Sequence, residues 1–215
     1  MSNLARNDGM ALEEEVFGQL TRMLEGGDLG LPKHLCKLHR RKSYFSPSRG
    51  AEIDFENVIE FFLPANFDQP DAQPALVLFF ECKDHTTRNV EVGKIDEVIG
   101  RLNAPLGFQM KAYVVTRKGF AATAIRTAKT KGIGLIKIMP DDKVEFVAYF
   151  MTPDLMAKIQ QGFARRTMQA LQDPDYIAKH ESWYGLDNSY VFSSLDQMIL
   201  ELLKSHQLTR EYRNN

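Results

Sequence analysis

Leu76-Val77-Leu78-Phe79-Phe80-Glu81-Cys82-Lys83 is apolar on both parities until its last residues. A strand of this kind suits the centre of a sheet that is covered on both sides. Glu81 and Lys83 are two apart, so a strand points them the same way. The sheet is therefore expected to carry a carboxylate and an ammonium together where this strand ends.

The segment before it, residues 51–63, reads AEIDFENVIEFFL. Ile53, Phe55, Ile59 and Phe61 fall on one parity; Asp54, Glu56, Val58 and Glu60 fall on the other. Such alternation predicts one strand with one buried face. Residues 64–70, PANFDQP, are rich in breakers and supply the turn between the two strands. Pairing of the strands would bring Asp54 to Glu81 and Lys83. Mg²⁺ is commonly held by one or two carboxylates, with waters and phosphate oxygens completing its shell. Asp54 and Glu81 could supply those carboxylates, and the Cys82 backbone carbonyl a further oxygen. A cation there would polarise a phosphate and acidify a water. Lys83 could position that water and offset transition-state charge. Taken alone, Glu-x-Lys fits a strand-end ion pair as well.

Residues 49–147 resemble the Mrr-like restriction endonucleases, within the PD-(D/E)xK nuclease superfamily. Gly50-Ala51-Glu52-Ile53-Asp54 looks like the family's G-x-x-I-D segment, with Ala51-Glu52 where the family has a glycine pair. Phe80-Glu81-Cys82-Lys83-Asp84 looks like its (Q/E)-C-K core. Val92-Gly93-Lys94-Ile95-Asp96-Glu97-Val98-Ile99-Gly100 is similar to the helix that follows. Tyr113-Val114-Val115-Thr116, Gly119-Phe120, Ala124 with Ala128, and Gly132-Ile133-Gly134-Leu135-Ile136 resemble the later strand–helix–strand. The resemblance implies metal and catalytic roles for Asp54, Glu81 and Lys83, and a further glutamate on the first helix. It also implies Mg²⁺ as cofactor, with Mn²⁺ as a substitute, and DNA as substrate.

That first helix is expected over residues 11–25, ALEEEVFGQLTRMLE, where Val16, Phe17, Leu20, Met23 and Leu24 form an apolar stripe. Glu13 lies three and four residues before Val16 and Phe17 and projects toward the buried side, where a carboxylate needs a partner or a metal. Glu14 and Glu15 turn further away. A solvated acidic first turn is the competing reading.

The 215 residues suffice for one domain with an appendage. No stretch approaches the roughly 20 apolar residues of a membrane span, and the N-terminal residues lack an apolar signal region. Cys36 and Cys82 are too few for a disulfide framework. A cytoplasmic protein is expected. Cys82 has no evident histidine partner and is not expected to be a nucleophile.

A net charge of −1 argues against nucleic acid, but its distribution argues back. Residues 31–50 and 98–139 contain no acid and hold many lysines and arginines. DNA contact needs local positive potential, not global charge. Arg40, Arg41, Lys42, Arg49, Arg117 and Lys118 are the candidate DNA contacts in these blocks. His85 and Arg88, in the polar loop after Lys83, join them.

The predicted order is α-β-β-β-α-β, an α/β restriction-endonuclease-like core with a mixed central sheet flanked by helices. Residues 39–45 are expected as an edge strand. Helices are expected over 92–102 and 121–131, strands over 110–116, 133–139 and 143–150. Residues 10–150 would form the nuclease domain. Residues 151–215 would form a helical extension packed on the core or at a dimer interface, with helices over 154–171 and 194–205. Trp183, Tyr184, Tyr190 and Phe192 are expected in a loop between those helices. The function expected is metal-dependent hydrolysis of DNA phosphodiester bonds of the Mrr-like restriction type, with a homodimer for double-strand cutting. A repair or junction-resolving nuclease, or a non-catalytic DNA-binding subunit of a defence complex, are the alternatives.

Overall fold

A computed structural model describes residues 2–27, 31–64, 67, 69, 71–84, 88–103, 108–140, 153–178, 181–188 and 190–205, with side chains described from Met10 in the first helix and from Gly162 in the fourth. The fold is α/β. A mixed sheet of seven strands runs in the order β1-β4-β5-β6-β7-β8-β9, and β2 and β3 form a separate ribbon. The strands are β1 (Cys36–His39), β2 (Lys42–Ser46), β3 (Ala51–Phe55), β4 (Asn57–Phe61), β5 (Leu76–Cys82), β6 (Gln109–Thr116), β7 (Gly134–Ile138), β8 (Trp183–Asp187) and β9 (Tyr190–Phe192). The helices are α1 (Ser2–Gly26), α2 (Val92–Leu102), α3 (Ala122–Lys131), α4 (Pro153–Gln172) and α5 (Leu195–Ser205).

β5 is buried along its whole length and is the hub of the sheet. It pairs antiparallel with β4 and parallel with β6, and β6 pairs parallel with β7. Strand parity then divides the core in two. Leu76, Leu78 and Phe80 face α1 and α5, packing with Leu12, Val16, Leu20, Met198, Ile199 and Leu203. Val77 and Phe79 face α2 and α3, packing with Ile95, Val98, Ala124 and Ala128. Burying each large aliphatic side chain contributes roughly 1.5–3 kcal/mol, so these two faces dominate the folding energy. Gly132 ends α3 in the left-handed conformation (φ 68°) and donates its N–H to the Ala128 carbonyl. This is a C-cap that favours glycine.

Residues 51–63 depart from the single half-buried strand expected of them. The chain breaks at Glu56. β3 pairs only with β2, whereas β4 enters the main sheet between β1 and β5. β4 is buried on both faces, so the polar parity of β3 cannot continue through it unchanged. Its one carboxylate, Glu60, is matched by the Tyr44 hydroxyl at 2.7 Å and His39 Nε2 at 2.8 Å. The expected edge strand over 39–45 likewise divides, into β1 and β2.

Past residue 150 the chain is not helical throughout. Trp183 and Tyr184, expected in a loop, lie in β8, which pairs with β7; Tyr190 and Phe192 lie in β9. All of β8 is buried, which explains why it reads as aromatic and apolar. Its pairing covers the edge that β7 would otherwise expose. The strand expected over 143–150 and the domain boundary at 150 lie outside the described residues.

One row of side chains ties β6, β7 and β8 together. Tyr113 on β6 stands opposite Gly134 on β7, and its hydroxyl donates to Asp187 Oδ2 on β8 at 3.2 Å. The ring can cross β7 because Gly134 has no side chain. A Cβ added there would lie 2.1 Å from Tyr113 Cδ1. Tyr113 is fully buried and stacks on Phe80 with ring centroids 5.2 Å apart, so it has no room to retreat. Gly134→Ala is therefore expected to destabilise the fold by about 3 kcal/mol, at the upper end of overpacking costs. Urea unfolding of variant and parent checks this; an unchanged midpoint would show that the ring moves freely.

Candidate active site at the carboxyl end of β5

β5 ends where the parallel part of the sheet ends, and the Lys83 N–H extends the ladder to the Val115 carbonyl at 2.8 Å. Ligand sites of open α/β sheets lie at the carboxyl ends of such strands. Glu81 is almost wholly buried, with 1 % of its side chain exposed. Both of its oxygens are taken by cations. Lys83 Nζ lies 2.5 Å from Oε1, and Arg101 Nη1, from the last turn of α2, lies 2.5 Å from Oε2. A buried carboxylate is tolerable only with such partners.

The second carboxylate at this place is Glu56, at the break between β3 and β4. Its Oε2 accepts the Cys82 N–H at 2.6 Å. Burial pushes its carboxyl up to about 7, helped by repulsion from Glu81 and, more weakly, Glu13; the Cys82 N–H and Lys83 act against this. Glu56 shares the parity of Asp54, but no metal role was expected of it from the sequence.

Asp54 is placed differently. It is exposed on the β2–β3 ribbon, opposite Ser43, whose hydroxyl donates to Asp54 Oδ1 at 2.6 Å. Glu13 faces inward, with 15 % of its side chain exposed against 71 % for Glu14. It lies 3.4 Å from Arg41 Nη2, and its backbone carbonyl accepts a hydrogen bond from Asn57 Nδ2 at 3.0 Å. Asn57 is fully buried, and its Oδ1 has no partner. The structure thus gathers Glu56, Glu81, Lys83 and Arg101, with Glu13 at the margin, and leaves Asp54 on the ribbon.

Cys82 is buried between these groups. Burial, and then the charges of Glu56, Glu13 and Glu81, hold its thiol well above its ordinary value. A thiol kept protonated is a poor nucleophile.

The candidate DNA contacts are mostly engaged with the protein itself. Arg40 pairs with Glu14 at 2.9 Å, and Arg117 bridges Glu15 at 2.6 Å and Asp84 at 2.7 Å. Arg49 donates to the Gly100 carbonyl at the end of α2. Lys42 lies 5.7 Å over the Tyr44 ring. Arg88 is exposed and Lys118 half-buried, and His85 lies outside the described residues.

Among the described residues, no group of three or more His, Cys, Asp or Glu side chains is arranged to hold a metal ion. The two carboxylates at this strand end that could serve a cation are Glu56 and Glu81. Both are hard oxygen ligands, and repulsion from Glu81 adds to the burial that raises Glu56. Mg²⁺ sites commonly use only one or two carboxylates. Among the described residues, no helix is long and apolar enough to cross a membrane. No protein-family model, curated protein or solved structure matches the chain.

Proposed function

We propose that this chain is a metal-dependent DNA endonuclease that hydrolyses phosphodiester bonds, with Glu56 and Glu81 as the cation-holding pair and Lys83 beside them. The observation that carries this reading is the buried Glu81, held by Lys83 at the strand end where Glu56 accepts the Cys82 N–H, with Glu56 pushed up to about 7 by burial and by repulsion from Glu81. Two carboxylates kept in mutual repulsion destabilise the fold, and a structural role alone gives no reason for them. A bound Mg²⁺ would polarise the scissile phosphate and acidify the attacking water. Lys83 keeps Glu81 oriented, and its ammonium offsets the charge that develops on the phosphate. Glu13, facing inward from α1, supports the site through a water. The resemblance to Mrr-like restriction enzymes, carried by residues 49–147, supports the same chemistry and DNA as its target. Double-strand cutting needs two such sites, which a homodimer would provide.

The test is nicking and linearisation of supercoiled plasmid, methylated and unmethylated, with Mg²⁺, Mn²⁺ or EDTA. Metal-dependent cutting is expected, and its loss in Glu81→Gln and Lys83→Ala. Asp54→Ala is expected to lose less than Glu56→Gln. No cutting by folded protein on either plasmid would overturn the reading. A second reading, a DNA-binding module without turnover, is favoured by the saturation of both Glu81 oxygens by cations. It predicts a gel shift that persists in EDTA without any cleavage.

A further inference from the structure

We propose that Arg101 is a positioning residue that gives up Glu81 when a divalent cation binds and takes a phosphate of the nucleic-acid strand instead. The inference rests on the nuclease reading above and adds a residue to which the resemblance to Mrr-like enzymes gives no role.

Glu81 has two cationic partners on two different tethers. Lys83 is two residues along the same chain and points the same way, so it stays close whatever else binds. Arg101 arrives from α2, and 28 % of its side chain is exposed beside a carboxylate with only 1 % exposed. The guanidinium meets the buried acid while part of the Arg101 side chain remains open to solvent. A cation on Glu81 would compete with the two groups that now take its oxygens, Lys83 on Oε1 and Arg101 on Oε2. It would also place two positive charges next to the guanidinium. Of the two partners, the one on the longer and more exposed tether yields.

A displaced guanidinium still needs an anion. Its planar fork matches phosphate oxygens, which it can bind in pairs. The neighbouring arginines are less free to do this. Arg117 is held by Glu15 and Asp84 together, and Arg49 by the end of α2 itself. Arg101 thus neutralises Glu81 before loading and contacts substrate after it.

The test uses the full chain with Arg101→Ala and Arg101→Lys, each first checked for folding by circular dichroism. Mn²⁺ affinity is measured by calorimetry without DNA, and plasmid cleavage gives kcat and KM separately. Removing the competitor is expected to tighten Mn²⁺ binding by about tenfold, the scale on which a ligand's partners tune a metal site. KM for DNA is expected to rise by roughly tenfold, the scale of one charge-assisted hydrogen bond, with kcat changed less. Lysine should restore part of the KM. If Arg101 only supports the fold, Ala would weaken Mn²⁺ binding or leave it unchanged, and that result overturns the proposal; so does an unchanged KM. Should the parent protein neither bind Mn²⁺ nor cut, the nuclease reading fails first and this inference falls with it. If Arg101→Ala does not fold, Arg101→Gln, which removes the charge and keeps a polar chain, decides through a higher Mn²⁺ affinity or its absence.

Discussion

Glu56→Gln is expected to make the protein more stable at pH 8 while removing the proposed cleavage activity. The ordinary value of this carboxyl is 4.5, and burial, then Glu81, push it up to about 7 in the folded chain. Between those two values the unfolded chain has released the proton and the folded chain still holds it. Stability is therefore undiminished below about pH 4.5, falls as pH rises toward 7, and carries the whole penalty above it. Moving a carboxyl that far corresponds to roughly 3 kcal/mol. Glutamine has no proton to lose and keeps an oxygen that can accept the Cys82 N–H. The variant should match the parent near pH 4 and exceed it by up to about 3 kcal/mol at pH 8. Urea unfolding of both proteins from pH 4 to 8, without divalent metal, measures the difference. A difference that does not change with pH would mean that Glu56 is not held under this penalty. Added Mg²⁺ should narrow the gap at pH 8 by stabilising the parent alone, because only the parent has both carboxylates. Cleavage by the variant should fall by at least 10²-fold, beyond the scale for losing a mere outer-shell partner of a metal.

Opposed effects on stability and cleavage also bear on what could be read from the residues alone. The double-sided apolar run of β5, the helices over 92–102 and 121–131 and the Gly132 stop were all legible, because periodicity and capping are local properties. So was the approach of Glu81 to Lys83, which needs only the two-residue repeat of a strand. That Glu56 would accept the Cys82 N–H at the end of β5 was not legible. Asp54 and Glu56 share one parity, and alternation cannot say which of them reaches the end of β5. That depends on where the chain leaves the ribbon for the main sheet, and Glu56 sits at that break. Arg101 was visible only as one cation in an acid-free block, since its meeting with Glu81 requires the packing of α2 on the sheet. β8 and β9 were read as loop for a similar reason. Short aromatic runs look alike in loops and strands, and the pairing that makes them strands lies with β7, far away in sequence.

Asp187→Ala is expected to be the most damaging single change outside the site, costing about 3–5 kcal/mol. Asp187 closes the row across β6, β7 and β8. Its Oδ1 pairs with Lys111 Nζ at 2.5 Å and its Oδ2 accepts from the Tyr113 hydroxyl. Lys111 has only 14 % of its side chain exposed and Tyr113 none, so the missing carboxylate leaves both poorly partnered. Lys111 would keep its bond to the Gly132 carbonyl at 2.7 Å, but its charge would be uncompensated. The same burial and the nearness of Asp187 hold the Tyr113 hydroxyl well above its ordinary value, so it cannot ionise to match the lysine. Replacing both charges removes the uncompensated ammonium but still leaves the buried Tyr113 hydroxyl without its acceptor. Lys111→Met with Asp187→Leu should recover part of the loss, because well-packed apolar residues often equal a buried ion pair while an unsatisfied hydroxyl still costs about 1–3 kcal/mol. A double-mutant cycle by urea unfolding separates the two cases: a large favourable coupling is expected. If the single changes are mild and simply additive, the pair contributes little. The row matters to the site because β6 flanks β5 along its whole length. Slack between β6 and β8 would reach Val115, whose carbonyl holds the Lys83 N–H. The proposed cleavage should therefore decline in folded Asp187→Ala along with its stability, while the double variant keeps more of both.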